Sequence, residues 1–302
     1  YEISACLVGS DMCIRDSGIS GSGNAAWGAR PIMYFDSHAH YFDSRFQREF
    51  PGGPDALLHD LFSKTVCGII NVGDSLKSSV QCISQAACYP NMYAAVGIHP
   101  TSAGVECTLD QARAALCDML DRAQQSKIVA VGEIGFDYHY DDVSREVQRA
   151  FFDMQMRAAE MYGLPVVIHD REAHGDCFDM VLKYPNVRGV FLSFSASAEI
   201  AAELIKRGWL VSFSGVVTFK NVSRVRSVAE RVPLDKMLIE TDCPYLAPHP
   251  FRGACNHSGM LEYVVQAIAE VHGADCEMVA AITADNACLL YTSPSPRDRQ
   301  KS

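Results

Sequence analysis

Met33-Tyr34-Phe35-Asp36-Ser37-His38-Ala39-His40 runs a short apolar stretch directly into two histidines spaced one residue apart. Alternate residues of an extended strand point the same way, so a strand ending here aims the His38 and His40 imidazoles at one point, a geometry suited to a divalent cation. Alone, the pair fits a metal site and a hydrogen-bonded surface pair equally well. Further ligands at matching places have to decide.

Outward from this stretch, short apolar runs alternate with longer helix-period segments, the pattern of parallel βα repeats. Eight strands are expected, over residues 33–36, 66–72, 93–98, 128–133, 165–169, 189–193, 210–213 and 237–241. Their near-continuous apolar character fits strands covered on both faces. The helices between them are punctuated as expected. From Ser144, a good N-cap, apolar residues recur at Val147, Phe151, Met154, Ala158 and Met161, and Gly163 with Pro165 ends the segment; Leu261, Val264, Val265, Ile268 and Val271 repeat the pattern before Gly273. These stripes read as packing surfaces.

An open doubly wound sheet uses the same units, and the polar residues at strand ends favour the closed form. His99-Pro100 follows the third strand, Gly132-Glu133 ends the fourth, His169-Asp170-Arg171-Glu172 the fifth and Thr241-Asp242 the eighth. Each singly reads as a cap or an ion pair. Together with His38 and His40 they collect on the C-terminal rim, where barrel enzymes keep their active sites, so the expected fold is an α/β (β/α)₈ TIM barrel of the metal-dependent hydrolase type. The mixed N/O set suits Zn²⁺, Mn²⁺ or, less comfortably, Mg²⁺, which prefers oxygen. Cys243, next to Asp242, reads as a packed thiol.

Composition excludes several classes. The chain has 302 residues, 48% of them hydrophobic and 21% charged, ordinary for a globular enzyme. No long apolar run signals a membrane span and the opening lacks the regions of a signal peptide, so the expected compartment is the cytoplasm. The 12 cysteines are scattered with no C-x-x-C pair, unlike a disulfide framework or a structural zinc site. A formal charge of −10 disfavours broad adhesion to a phosphate backbone, so a phosphate substrate must be met locally by cations and a few arginines. Neither a phosphate-cradling glycine-rich loop nor a nucleophile elbow is present.

The ends read differently from the rest. The segment from Ser10 to Ser17 and the tail from Leu290 to Asp298 resemble translated sequencing adapters, and the stretch from Ile19 to Arg30 is rich in Gly, Ser and Ala without apolar period. The expected domain is residues 33–290, with a non-native or flexible leader over 1–32 and a non-native tail over 291–302.

Five ordered blocks carry a family resemblance. Asp36-Ser37-His38-Ala39-His40, Val96-Gly97-Ile98-His99-Pro100, Gly132-Glu133-Ile134-Gly135-Phe136-Asp137-Tyr138, Val167-Ile168-His169-Asp170-Arg171-Glu172-Ala173 and Glu240-Thr241-Asp242-Cys243-Pro244-Tyr245-Leu246-Ala247-Pro248 resemble the signature blocks of the TatD-type metal-dependent deoxyribonucleases. Arg252-Gly253 with Asn256 is similar to the family's next block. The resemblance spans about Met33 to Leu290. It implies phosphodiester hydrolysis in DNA with one or two divalent metals. His38, His40, Glu133 and Asp242 would bind the first, and Glu133 would bridge to a second held also by His169.

It also implies that Asp242, with Glu133 as the other catalytic carboxylate, accepts a proton from an activated water, and that His99, Arg252 and Asn256 meet the substrate. One departure stands out. The family places a histidine after the sixth strand where this chain has Leu192, so the second metal is expected to bind more weakly unless Ser193, His174 or Asp170 substitutes. The expected partner is DNA taken at an end or as a single strand, with no membrane and no obligate protein partner. Two rival readings are a small-molecule amidohydrolase or esterase, disfavoured because Glu133 stands where such barrels often carry a carboxylated lysine, and a metal-binding scaffold weakened by the loss at Leu192.

Overall fold

Eight short strands pair in parallel and in chain order in the computed structural model, which describes residues 31–292. They are β1 (Tyr34–Ala39), β2 (Val66–Val72), β3 (Met92–Val96), β4 (Ile128–Asp137), β5 (Val166–Arg171), β6 (Gly189–Phe191), β7 (Leu210–Phe213) and β8 (Met237–Ile239). Around them lie α1 (Ser44–Glu49), α2 (Gly53–Lys64), α3 (Leu76–Cys88), α4 (Leu109–Leu120), α5 (Arg145–Tyr162), α6 (His174–Leu182), α7 (Ala198–Lys206), α8 (Ser223–Arg231), α9 (Leu261–His272) and α10 (Cys276–Thr292). This is the expected (β/α)₈ barrel. None of the described helices is long and apolar enough to cross a membrane.

The barrel closes at its C-terminal mouth. Ala39 bridges Cys243 in parallel, His40 N–H donates to the Cys243 carbonyl at 2.8 Å, and Asp242 N–H donates to the His38 carbonyl at 3.0 Å. Two of the hydrogen bonds that join the end of the first strand to that of the last are therefore made by His38, His40, Asp242 and Cys243. Below them, the buried Asp36 carboxylate accepts from Thr241 Oγ1 and Ser258 Oγ, both at 2.6 Å, and from Thr241 N–H at 3.0 Å.

Six strands, β1, β3, β4, β5, β6 and β8, end elsewhere than the sequence predicts, and the shifts of β4, β6 and β8 bear most directly on site residues. β4 runs four residues past Glu133 because Ile134 to Asp137 continue the ladder with Ile168 to Arg171 of β5. Gly135 permits this approach: at its φ of +147° a Cβ would lie 1.9 Å from the His169 carbonyl oxygen. β6 stops at Phe191 and β8 at Ile239, since Ser193 (φ 38°) and Asp242 (φ 55°) enter the left-handed region and turn the chain out of the sheet.

α5 shows why an apolar stripe locates a face only approximately. Ser144 caps it and Gly163 (φ 68°) ends it, as expected, and Phe151, Met154 and Ala158 are buried, but Met161 is 66% exposed. The centre of the buried face is polar: Gln148 and Gln155 lie on it, and at 3.6 residues per turn Met161 falls about 120° away. Gln155 clamps Ile98, accepting from its N–H at 2.7 Å and donating to its carbonyl at 3.0 Å, while Gln148 accepts from Asp137 N–H at 3.0 Å and donates to the Asp137 carbonyl at 2.9 Å. The helix thus braces the ends of β3 and β4 through two amides.

Within the barrel, Phe35, Ile70, Val72, Ala95, Ala130, Val167, Val190 and Leu238 make an inner core distinct from the larger one under the helices. α10 reaches it: Leu290 and Tyr291, on either side of the expected domain end, are buried against these residues. The rest of the expected leader and tail lies outside the described residues.

Candidate active site

Four donors converge at the closure of the barrel. His38 Nε2 lies 2.9 Å from His40 Nε2, and 3.5 Å from both Glu133 Oε2 and Asp242 Oδ1; His40 Nε2 lies 3.7 Å and 3.2 Å from the same two oxygens. Ligands about 2.0–2.2 Å from one cation stand roughly 3–3.6 Å apart, so this spacing fits a divalent ion. The rings are oriented for it. His40 Nδ1 faces the Val72 carbonyl at 2.7 Å, and a carbonyl only accepts, so Nδ1 carries a proton and Nε2 turns its lone pair to the site. His38 Nδ1 is buried with no hydrogen-bond partner, leaving all of that ring's polar contacts on the Nε2 side.

Without a cation the set holds protons instead. Burial alone would lower the His40 pKa, but the hydrogen bond and charge of Asp242, with Glu133 and the Val72 carbonyl, raise it to about 9. Burial raises Asp242, and the two imidazoles of β1 outweigh that and bring it to about 2.

Glu133 divides its carboxylate between two halves of the site. Oε2 faces the β1 histidines, while Oε1 lies 2.8 Å from His169 Nδ1 and 3.9 Å from His99 Nε2. Burial opposes its ionisation, yet His38, His169 and His99 hold its pKa well below the usual carboxylate range. His169 is gripped from its other side by Asp137 Oδ2, 3.0 Å from Nε2. Burial pushes the His169 pKa down and these two carboxylates reverse it, to about 9. The ring is a cation between two anions.

His99 is arranged differently. Its Nδ1 accepts from Thr101 N–H at 3.2 Å, and burial, helped by His169, drops its pKa to about 4. The neutral ring therefore carries its proton on Nε2, aimed at the Glu133 side of the mouth.

Among the described residues, His38, His40 and Glu133 form one group able to hold a metal, and His99, Asp137 and His169 another. Asp137 had been given no role from sequence. Its signal was parity: residues 133, 135 and 137 of one strand share a face, which a fourth strand ending at Glu133 concealed. Leu192 packs in the inner apolar core and supplies no donor. Of its three possible substitutes, Ser193 Oγ is bonded to Ser214 Oγ at 2.7 Å and His174 Nδ1 lies 2.8 Å from Asp170 Oδ2, while Asp170 Oδ1 is buried without a hydrogen-bond partner.

Two of the expected substrate contacts, Asn256 and Arg252, stand apart from the donor cluster. Asn256 is buried, and its amide donates to the Thr241 carbonyl at 2.9 Å and the Tyr245 carbonyl at 2.8 Å while accepting from His257 N–H at 2.9 Å. It holds the loop that carries Asp242 and presents nothing to a substrate. Arg252 is exposed, with its guanidinium 4.2 Å from the centre of the Phe219 ring.

A parallel eight-stranded barrel with this mixed imidazole and carboxylate set at its mouth is a metal-dependent hydrolase. The chain belongs to the TatD related DNase family, whose profile matches residues 35–292. It is 34% identical over 262 residues to the uncharacterized metal-dependent hydrolase YabD of Bacillus subtilis, covering 86% of this chain and 99% of that one. It is 35% identical over 232 residues to the uncharacterized metal-dependent hydrolase TatD of Mycobacterium tuberculosis, covering 75% and 86%. Among solved structures, YjjV, a TatD homolog from Escherichia coli K12, superposes with a TM-score of 0.76 at 27% identity, covering 86% of this chain and 98% of that one.

Proposed function

We propose that this protein is a deoxyribonuclease that hydrolyses phosphodiester bonds from the ends of single-stranded DNA, in the cytoplasm. His38 Nε2, His40 Nε2, Glu133 Oε2 and Asp242 Oδ1 would hold one divalent cation, Mg²⁺, Mn²⁺ or Zn²⁺. The observation that carries the reading is the divided carboxylate of Glu133, which places the cation set on one side and the His99 and His169 rings on the other.

When bound, the cation acidifies a water and polarises a phosphoryl oxygen. The chain supplies the rest. Asp242 engages the β1 rings through Oδ1 and is 28% exposed, so its second oxygen is free to take the water's proton. His99 Nε2–H donates to a phosphoryl oxygen seated beside Glu133, and with its proton on Nε2 that nitrogen has no lone pair to offer the cation. His169, pinned by Glu133 and Asp137, opposes the negative charge that builds on the phosphoryl group as the bond breaks. Asn256 and Asp36 position Asp242 and His38.

The test uses the full chain, stripped of metal and reloaded with Mg²⁺, Mn²⁺ or Zn²⁺, and follows mononucleotide release from a short single-stranded DNA. Cation-dependent release that Glu133→Ala abolishes is expected. A protein that binds a cation yet releases nothing from DNA, while cleaving a small ester or amide, would move the assignment to the small-molecule hydrolase. Cation binding with no hydrolysis of any of these would favour the scaffold.

A further inference from the structure

A second feature of the rim has no part in the chemistry above. Phe219, Lys220, Asn221 and Val222, which follow β7, face His249 and Arg252, which follow β8, across a cavity of about 440 Å³. That volume lies within the ~300–1,000 Å³ typical of small-ligand sites. The two segments are packed closely: a Cβ on Gly215 would come 2.1 Å from the Leu246 carbonyl oxygen. Arg252 lies in the same strand-end segment as Asp242, so the cavity belongs to the mouth.

Its chemistry is unlike that of the chain as a whole. The net charge of the protein is −10, yet the six lining residues include the Lys220 and Arg252 cations and the His249 imidazole and no carboxylate. Phe219 is half-buried with Arg252 stacked over it at 4.2 Å, a flat platform edged with positive charge. An aromatic ring stacked with a guanidinium accepts any base as the next member of the stack, and Lys220 with Arg252 matches the phosphate attached to it. Asn221 adds an amide able to meet a base edge or a sugar hydroxyl.

We propose that this cavity is a nucleotide subsite, holding one unit of single-stranded DNA away from the scissile phosphate, with its base on Phe219 and its phosphate between Lys220 and Arg252. The proposal rests on the deoxyribonuclease reading and explains how an acidic protein retains a polyanion. The platform is one base wide and its cations are local, so it favours a flexible strand over a stacked duplex.

Two measurements separate failure of the subsite from failure of the nuclease reading. In the first, 5′-labelled hexathymidylate binds the full chain in EDTA, read by fluorescence anisotropy, so that no turnover is needed. Phe219→Ala should weaken binding by about 5- to 150-fold, the range for loss of one stacked base. Phe219→Tyr should restore it, and Arg252→Ala should weaken it and flatten its salt dependence. In the second, KM is compared for the hexamer and a dinucleotide on the Mn²⁺ enzyme: the wild type should favour the hexamer, and Phe219→Ala should collapse the ratio with kcat for the hexamer retained. Equal binding by wild type and Phe219→Ala, no binding by the wild type, or equal affinity for a duplex overturns the subsite. Hexamer binding that depends on Phe219, with no nucleotide release under any cation, overturns the nuclease and leaves a binding cleft.

Discussion

Leu192→His tests how many cations the site holds. Leu192 is 7% exposed within the inner core, and its removal loses about 1.5–3 kcal/mol of apolar burial. The incoming imidazole adds about 1–3 kcal/mol if its nitrogens find no partner there. The metal-free variant should therefore be less stable by about 2.5–6 kcal/mol, which for a domain of this size lowers Tm by roughly 5–24 °C. With a cation the outcome reverses in part. A second ion held by Glu133 Oε1, His169 and the new ring, present at 100 times its Kd, would return about 2.7 kcal/mol. Thermal shift with and without Mn²⁺ should thus show a larger Mn²⁺-dependent rise in Leu192→His than in the wild type, and calorimetry should move from one tight ion to two. Two equally tight ions in the wild type would refute the reasoning, and so would a variant whose Tm is indifferent to Mn²⁺.

Proton competition sets the pH dependence of the first site. His40 is protonated below about 9 without a cation, so Mn²⁺ affinity should rise about tenfold per pH unit from 7 to 9, with one proton released per ion in calorimetry across several buffers; a flat profile would contradict it. Stability of the metal-free protein should run the other way. The raised pKa values of His40 and His169 contribute stability that is full below about 6.5 and lost as pH rises through about 9, whereas that of His99, lowered to about 4, is present above 6.5 and lost as pH falls through 4, and that of Asp242, lowered to about 2, is present above 3.8 and lost as pH falls through 2, so Tm should peak near pH 6.5 and decline toward 9. Asn256→Leu leaves the Thr241 and Tyr245 carbonyls unpaired; a loss of about 1–3 kcal/mol in denaturant unfolding is expected, with a lower kcat as Asp242 loosens. Gln155→Leu should lose a similar amount by stranding both backbone groups of Ile98, and should raise KM by displacing His99.

Much of the fold was legible because each strand of a closed parallel barrel is buried on both faces and writes an apolar run into the sequence. The convergence of His38, His40, Glu133 and Asp242 was legible too, since they stand where such runs end. What escaped was anything that depends on where a strand stops. A strand ends when the chain leaves extended backbone, and Asp242 and Ser193 do so at positive φ with no glycine to announce it. β4 continues through Gly135, a residue that in isolation suggests an end, because here the missing side chain makes room for the His169 carbonyl. Asp137 was lost with those four residues. Gln148 and Gln155 were hidden for another reason: a search for an apolar stripe passes over the polar residues at the centre of a buried face, although buried amides are suited to bracing strand ends with unpaired backbone groups.

The bonds that close the barrel are also the bonds that assemble the site. His40 N–H to the Cys243 carbonyl and Asp242 N–H to the His38 carbonyl join β1 to β8, and the same three residues present Nε2, Nε2 and Oδ1 to one point. In the metal-free state the carboxylates of Glu133 and Asp242 are held ionised by the imidazoles around them, with His40 and His169 carrying protons. A cation that replaces those protons therefore draws the first and last strands together as it binds. Removing it should loosen the β1–β8 seam before any other, so hydrogen exchange at His40 and Asp242 should quicken in EDTA while Ile70 and Val167, in the middle of the sheet, stay protected. Closure of this fold and assembly of its chemistry are in that sense one equilibrium.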